Sequence, residues 1–325
     1  MDINYLLWWQ DFRETTHGTL TPFMDGISEF SVSYLILLPA FLYWCWDKRR
    51  GLMTLASFCL CVAVTAVIKL TACVYRPWIR DPRIIPATKS LPTSYSFPSG
   101  HTAMGTPLYL GSALIFWQKN WTKILAVLCV VLAVLNPLSR NYLGVHTPQD
   151  VCMSFVLSIA CLYVVWKVGT YFQKYPEKEN VCLGIVFVVC MLTLIYLLYK
   201  PYPMDYVNGK LLVNPHKMLK SAFEGMGILM GFCVARYIEK TWIRFKETGL
   251  SIKGVIYSVA GLVLLYLFFT YAGKPFKHLL GSQWGRFAWA FTLVLYIVAL
   301  YPLVLKYFFQ NRHVTQVNKT SNPSK

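Results

Sequence analysis

Long apolar runs separated by short polar connections dominate this chain. They occupy residues 30–46, 52–75, 99–117, 121–138, 148–168, 181–199, 219–237, 252–271 and 287–308. Most approach the roughly 20 residues that a helix needs to cross a bilayer. Hydrocarbon offers the backbone no partner, so each run must satisfy its own amides as a helix. The pattern predicts an all-α fold, a polytopic transmembrane helical bundle of about nine spans. Ahead of it, residues 1–29 read as an interfacial segment. Tyr5, Leu6, Leu7, Trp8, Trp9 and Phe12 predict a short helix there, lying at the membrane surface or packed as an arm on the bundle. Thr21-Pro22 reads as an N-cap followed by Pro at the first helical position. Residues 310–325 form a polar tail.

Composition agrees with a membrane protein. Hydrophobic residues make up 56% of the chain and charged ones 14%, against about 25% charged in soluble domains. The net charge is +17. The basic residues sit mainly in short connections, which points to positive cytoplasmic loops and to no nucleic-acid partner. Lys48-Arg49-Arg50, directly after the first run, marks a cytoplasmic end. Nine spans then place the N-terminus outside and the C-terminus inside, with a slight excess of Lys and Arg on the cytoplasmic side. The ten cysteines fall mostly inside apolar runs without a CxxC, and read as free buried thiols. Gly227-x-x-x-Gly231 either lets a neighbouring helix approach closely or is a chance spacing in a Gly-bearing apolar helix.

Three polar islands interrupt the hydrocarbon between Lys69 and Asp150. The first is Lys69, six residues, then Arg76-Pro77; the second is Pro98-Ser99-Gly100-His101; the third is Ser139-Arg140, five residues, His146, three residues and Asp150. All three fall on the exoplasmic side of the expected topology. They gather cations, two histidines and a carboxylate at the membrane edge, an inventory suited to holding a phosphate and breaking its ester bond. Fixed cations stabilise the charge spread over phosphoryl oxygens. A Lys near the end of an apolar helix is costly unless paired or snorkelling. Ser99 can cap a helix whose first amides bind an anion, and Gly100 lets an oxygen approach the backbone. Next to them, His101 can protonate a leaving oxygen.

Thr147-Pro148-Gln149-Asp150 reads as N-cap, Pro at N1 and an acid at N3. Asp150 either completes a capping box alone or also accepts a hydrogen bond from one ring nitrogen of His146, freeing the other to attack phosphorus. The residues themselves leave the nucleophile open between His146 and His101. Neither histidine has the clustered Asp, Glu or Cys partners of a hydrolytic metal centre, so no metal and no cofactor are expected. His17, His216, His278 and His313 read as ordinary surface or interfacial residues.

Together the islands resemble the signature of the type 2 phosphatidic acid phosphatases, a superfamily that also includes glucose-6-phosphatase and the vanadium haloperoxidases. The resemblance covers roughly residues 30–170; the two spans before the first motif and the total of nine are similar to the glucose-6-phosphatase arrangement. It implies a phosphatase core at residues 30–175 and additional helices at 176–309. It also implies a metal-independent reaction in which His146 is the nucleophile, Asp150 orients it and His101 protonates the leaving group. By the same resemblance Lys69, Arg76, Ser99, Gly100 and Arg140 hold the phosphate. The expected substrate is a membrane-embedded phospholipid phosphate or isoprenoid diphosphate, hydrolysed on the exoplasmic face of the cell membrane. The alternatives are a small soluble phosphate such as a sugar phosphate, transfer to an acceptor other than water, or a transporter that only binds head groups. Arg80, Arg83 and Lys89 form a basic loop beside the islands, read most simply as a solvated loop and alternatively as one that attracts anions.

Overall fold

A computed structural model describes residues 2–88, 91–207 and 209–310. Lys89, His313 and the polar tail beyond residue 310 lie outside them. Helices run α1 (Asp2–Thr15), α2 (Thr21–Ser33), α3 (Leu37–Cys45), α4 (Lys48–Ala72), α5 (Pro77–Arg80), α6 (Gly100–Phe116), α7 (Lys123–Tyr142), α8 (Pro148–Lys174) and α9 (Glu177–Tyr199). A two-residue hairpin follows, β1 (Tyr206–Val207) against β2 (Lys210–Leu211). The chain continues with α10 (Pro215–Ile238), α11 (Ile252–Tyr271), α12 (Gly273–Leu295) and α13 (Tyr301–Leu305).

The fold is all-α, as the runs predict, but the span count of nine is not reached. Among the described residues, seven helical segments are long and apolar enough to cross a membrane, and α2 with α3 supplies an eighth if the pair is one span. That expected first span is bent by 48° between its two helices. The expected third span, α6, is 17 residues long and falls just short. Thr21 is also not the N-cap of α2; Leu20 holds that place with no side-chain cap. The Thr21 hydroxyl instead meets the Tyr142 hydroxyl at 3.1 Å.

Two helices run through the centre. Within their spanning windows α4 is 61% buried and α10 is 78% buried, against 17% for α9 and 22% for α11. One continuous core joins Leu55, Phe58 and Ala63 of α4 to Met226 and Met230 of α10 and to Trp289 and Val294 of α12. Side by side with α12, α10 has no room for side chains at two points. A Cβ on Gly227 would lie 2.5 Å from the Phe287 carbonyl oxygen, and one on Gly231 2.7 Å from that of Phe291. Lipid tails are as apolar as the helix surfaces, so close backbone packing of this kind supplies much of the association.

Past the kink at Gly281, α12 ends in a π-helical turn at Tyr296–Leu300, which misaligns the main-chain ladder. Buried side chains of α3 use its carbonyls: Trp44 Nε1 donates to Ile297 O (2.8 Å) and Tyr43 Oη to Val298 O (3.1 Å). At the other end of α4, the helix stops at Ala72, because Cys73 turns into the left-handed region (φ 49°). Arg76 therefore lies beyond the helix, extended at the start of α5.

Candidate active site

Each island is placed by its local structure. Lys69 occupies the last turn of α4 and is almost completely buried. Its ammonium donates to the carbonyl oxygens of Tyr95 (3.1 Å), Ser96 (3.1 Å) and Pro98 (2.5 Å). An ammonium has three donors, so this residue clamps the segment leading into α6 while facing the cavity described below. Arg76 spans two segments: Nε donates to Ser94 O (2.7 Å), Nη2 to Ser94 Oγ (2.6 Å) and Nη1 to Val145 O (2.8 Å).

The five residues between Arg140 and His146 form a turn. Arg140 lies in the last turn of α7, and Gly144 adopts a positive φ of 70°, open to Gly at little cost. Val145 N then returns a bond to Arg140 O (3.2 Å). His146 follows, and Thr147 caps α8. Both arms of the capping box are present: Thr147 N donates to Asp150 Oδ2 (2.8 Å) and Asp150 N to Thr147 Oγ1 (3.4 Å). The same Oδ2 lies 3.4 Å from His146 Nδ1 and accepts from Ser96 Oγ (2.5 Å). Asp150 thus serves as cap and as imidazole partner together. On the other side of the ring, His146 Nε2 is 3.0 Å from Arg76 Nη1.

These groups border a cavity of about 240 Å³. Lys69, Arg76, Gly100, His101, Arg140 and His146 all line it. Around Gly100 nothing lies within 4 Å of where a Cβ would be, so the start of α6 is open to an approaching oxygen. Asp150 sits behind His146, outside the lining. Ser99 differs from expectation: it is the N-cap of α6 by position, but its hydroxyl caps no amide and does not reach the cavity. It accepts from Thr102 Oγ1 (3.1 Å), and its amide donates to Asp150 O (3.1 Å), tying α6 to α8.

Arg76, Arg140 and His146 are each at most 4% exposed. Burial holds the His146 pKa well below the usual histidine range, and the nearby charges of Arg76, Lys69 and Arg140 add to this. The ring is therefore neutral at physiological pH, the form in which a nitrogen lone pair is nucleophilic. Arg140 donates to Ser28 Oγ from Nη1, while its buried Nε has no partner among the described residues. Three cations, Lys69, Arg76 and Arg140, line the cavity, with Asp150 behind His146 and Glu224 in the wall, a positive balance suited to an anionic phosphate. Among the described residues no three His, Cys, Asp or Glu side chains converge as a metal site.

Several residues that support this arrangement escape a motif reading. Ser94 and Ser96 anchor Arg76 and Asp150 from the loop. Asn141 Nδ2 holds the His146 carbonyl (2.9 Å), and Asn136 Nδ2 holds that of His101 (3.0 Å). From α1, Arg13 reaches the carbonyls of Tyr142 and, at 2.7 Å, Ile85, packing that helix onto the end of α7. The polar cluster Thr93-Ser94-Tyr95-Ser96 immediately before the second island was the available signal for the two serines.

The chain is similar to several phosphatases. Phosphatidylglycerophosphatase B of Bacillus subtilis is 28% identical over 159 residues, 47% of this chain and 74% of that protein. An undecaprenyl-diphosphatase of Sulfolobus acidocaldarius is 29% identical over 144 residues, 43% of this chain and 66% of its own. Human sphingosine-1-phosphate phosphatase 2 is 24% identical over 211 residues, 64% of this chain and 50% of its own. No solved structure is a significant match. The family model for the PAP2 superfamily matches residues 50–174, the stretch that carries all three islands, and the chain thus contains a PAP2 superfamily domain.

Proposed function

We propose that this protein is a metal-independent membrane phosphatase that hydrolyses a lipid phosphate or polyprenyl diphosphate through a phosphohistidine. The observation that carries this is the setting of His146, with Asp150 at Nδ1, Arg76 beside Nε2 and the cavity in front. Nδ1–H donates to Asp150, which fixes the tautomer and leaves the Nε2 lone pair for phosphorus. An entering phosphate oxygen takes the Arg76 N–H that now faces Nε2, Arg140 and the first amides of α6 bind the rest, and Lys69, its three donors held by main-chain carbonyls, contributes its charge.

Nε2 attacks phosphorus as the P–O bond to the lipid breaks, and His101, which takes up a proton as the phosphate dianion enters the cavity, gives that proton to the departing oxygen. Water then attacks the phosphohistidine and returns a proton to His101. The P–N bond breaks, and inorganic phosphate leaves. Asp150 keeps its contact with Nδ1 throughout and steadies the positive charge that develops on the ring.

A lipid substrate fits the apolar part of the lining, which includes Val62, Ala66, Leu70 and Met104. The relatives are named for phosphatidylglycerophosphate, undecaprenyl diphosphate and sphingosine 1-phosphate, all phosphates on lipid alcohols. In the expected topology the site opens on the exoplasmic face.

The test is phosphate release by purified protein in detergent with EDTA present. The panel is phosphatidate, phosphatidylglycerophosphate, a polyprenyl diphosphate, a sphingoid phosphate and glucose 6-phosphate, with His146→Ala as control. Release from a lipid substrate that survives EDTA and disappears in the variant supports the reading; release that needs a divalent cation, or persists without His146, refutes it. Preference for glucose 6-phosphate moves the substrate class to soluble sugar phosphates.

A further inference from the structure

Helix α10 lies outside the matched domain, yet one of its faces lines the catalytic cavity. Met218, Ser221 and Glu224, spaced three residues apart, form its contribution. Their position is fixed by close packing. A Cβ on Gly225 would lie 3.3 Å from both Ala63 Cα and the Val62 carbonyl oxygen of α4, while Gly227 and Gly231 seat α10 on α12. Glu224 is thereby held in the wall that also contains Lys69, Arg76 and Arg140. Among the described residues lining the cavity it is the one carboxylate.

A carboxylate there works against phosphate binding, because like charges repel at short range. Arg286 of α12 offsets part of its charge, donating from Nε to Oε2 at 3.0 Å. The Arg286 side chain is 48% exposed, so solvent screens that pair. A substrate that brings its own cation would turn the repulsion into attraction.

We infer that Glu224 selects lipid phosphates carrying an ammonium group close to the phosphate ester, the chemistry of an amino-alcohol phosphate such as a sphingoid base phosphate. The phosphate occupies the Lys69–Arg76–Arg140 side of the cavity and the ammonium meets Glu224 across it. This rests on the phosphatase reading above and adds the head-group class. A purely structural role for the Glu224–Arg286 pair, as a tie between α10 and α12, would affect stability without distinguishing an amine from an amide.

The experiment compares kcat/KM for sphingosine 1-phosphate, its N-acetyl derivative and phosphatidate, using the full chain in detergent micelles. N-acetylation removes the charge and leaves the phosphate in place. The wild-type protein should favour the free amine over the N-acetyl compound by about tenfold or more, which corresponds to about 1.4 kcal/mol. Glu224→Gln should bring that ratio close to one. The ratio is internal to each preparation, and the wild-type comparison decides the matter even if the variant does not fold; Glu224→Asp, which keeps the charge, should retain a preference. A wild-type ratio near one overturns the inference, as does an unchanged ratio in Glu224→Gln. Hydrolysis of phosphatidate without amine preference defeats the inference alone. No hydrolysis of any compound by the wild type defeats the phosphatase reading and the inference with it.

Discussion

Two charged clusters sit at opposite ends of α4, and they are built on different principles. Near its start, Lys48 pairs with Glu239 (2.6 Å), Arg236 with Glu179 (2.7 Å) and Glu239 (2.5 Å), and Lys240 with Glu179 (2.9 Å). Three cations there close on two carboxylates, and Glu239 is fully buried. At the far end, Lys69 and Arg76 donate mainly to main-chain carbonyls, and the two carboxylates nearby, Asp150 and Glu224, are bonded elsewhere, to the cap of α8 and to Arg286. A carbonyl satisfies a cation's hydrogen bonds without cancelling its charge. The first cluster is therefore complete and ties helices together, whereas the second keeps a net positive charge facing a cavity. Geometry of bonding, more than the number of charges, separates a structural cluster from a candidate site.

The strongest way to break this contrast is His146→Ala. It should lower phosphate release by about 10³-fold or more, since an unassisted site retains only binding and electrostatics, with little change in melting temperature. Conversely, Glu239→Ala should cost about 1–3 kcal/mol of stability by taking the buried carboxylate away from the half-buried Lys48 and Arg236, while kcat at permissive temperature stays near wild type. If Glu239→Ala abolishes kcat in folded protein, the two clusters are not separable.

Asp150→Asn sharpens the comparison within the site. Loss of the imidazole partner should reduce kcat about 10–100-fold, and loss of the charged cap should lower stability by about 1 kcal/mol. An unchanged kcat would leave Asp150 as a helix cap alone. A smaller effect is expected from Gly231→Ala, whose Cβ would press on the Phe291 carbonyl. Overpacking of this kind costs about 1–3 kcal/mol, and a thermal melt should show it.

The mildest effect is in pH. The folded-state pKa of His146 is depressed, so the unfolded chain binds its proton first as pH falls. The stability that follows is fully present above about pH 6.5 and declines as pH drops through the interval down to the folded value. Activity requiring neutral His146 should persist below pH 6.5 in the substrate-free limit, seen as an acid limb of kcat/KM lying under the ordinary histidine range. A limb at or above that range would contradict the buried neutral imidazole.

Much of this arrangement is legible in local sequence. The cap Thr147-Pro148-Gln149-Asp150 lies within four residues and obeys rules that need no partner helix, so it reads correctly. Gly227 and Gly231 likewise announce a close approach, though not that α12 makes it. The boundaries that depend on distant contacts read less well. Apolar composition continues through residues 30–46, but the chain bends between α2 and α3, and the hydrophobic pattern carries no signal for that break. Hydropathy also continues past Ala72, where Cys73 turns the chain. Ser99 looks like a cap and an anion contact, yet its hydroxyl is satisfied by Thr102 instead.

What the sequence determined by itself was the class of fold and the inventory of reactive groups. Apolar runs force self-satisfied helices in lipid, and the motifs are short stretches whose roles follow from capping and side-chain chemistry. Only the tertiary structure decided which groups share a cavity. It set Arg76 against His146 across seventy positions of chain, turned Ser99 away, and brought Glu224 of α10 into a wall made otherwise by the matched domain. Helix packing governs those choices, and it depends on shape complementarity between segments far apart in sequence, which no local pattern encodes.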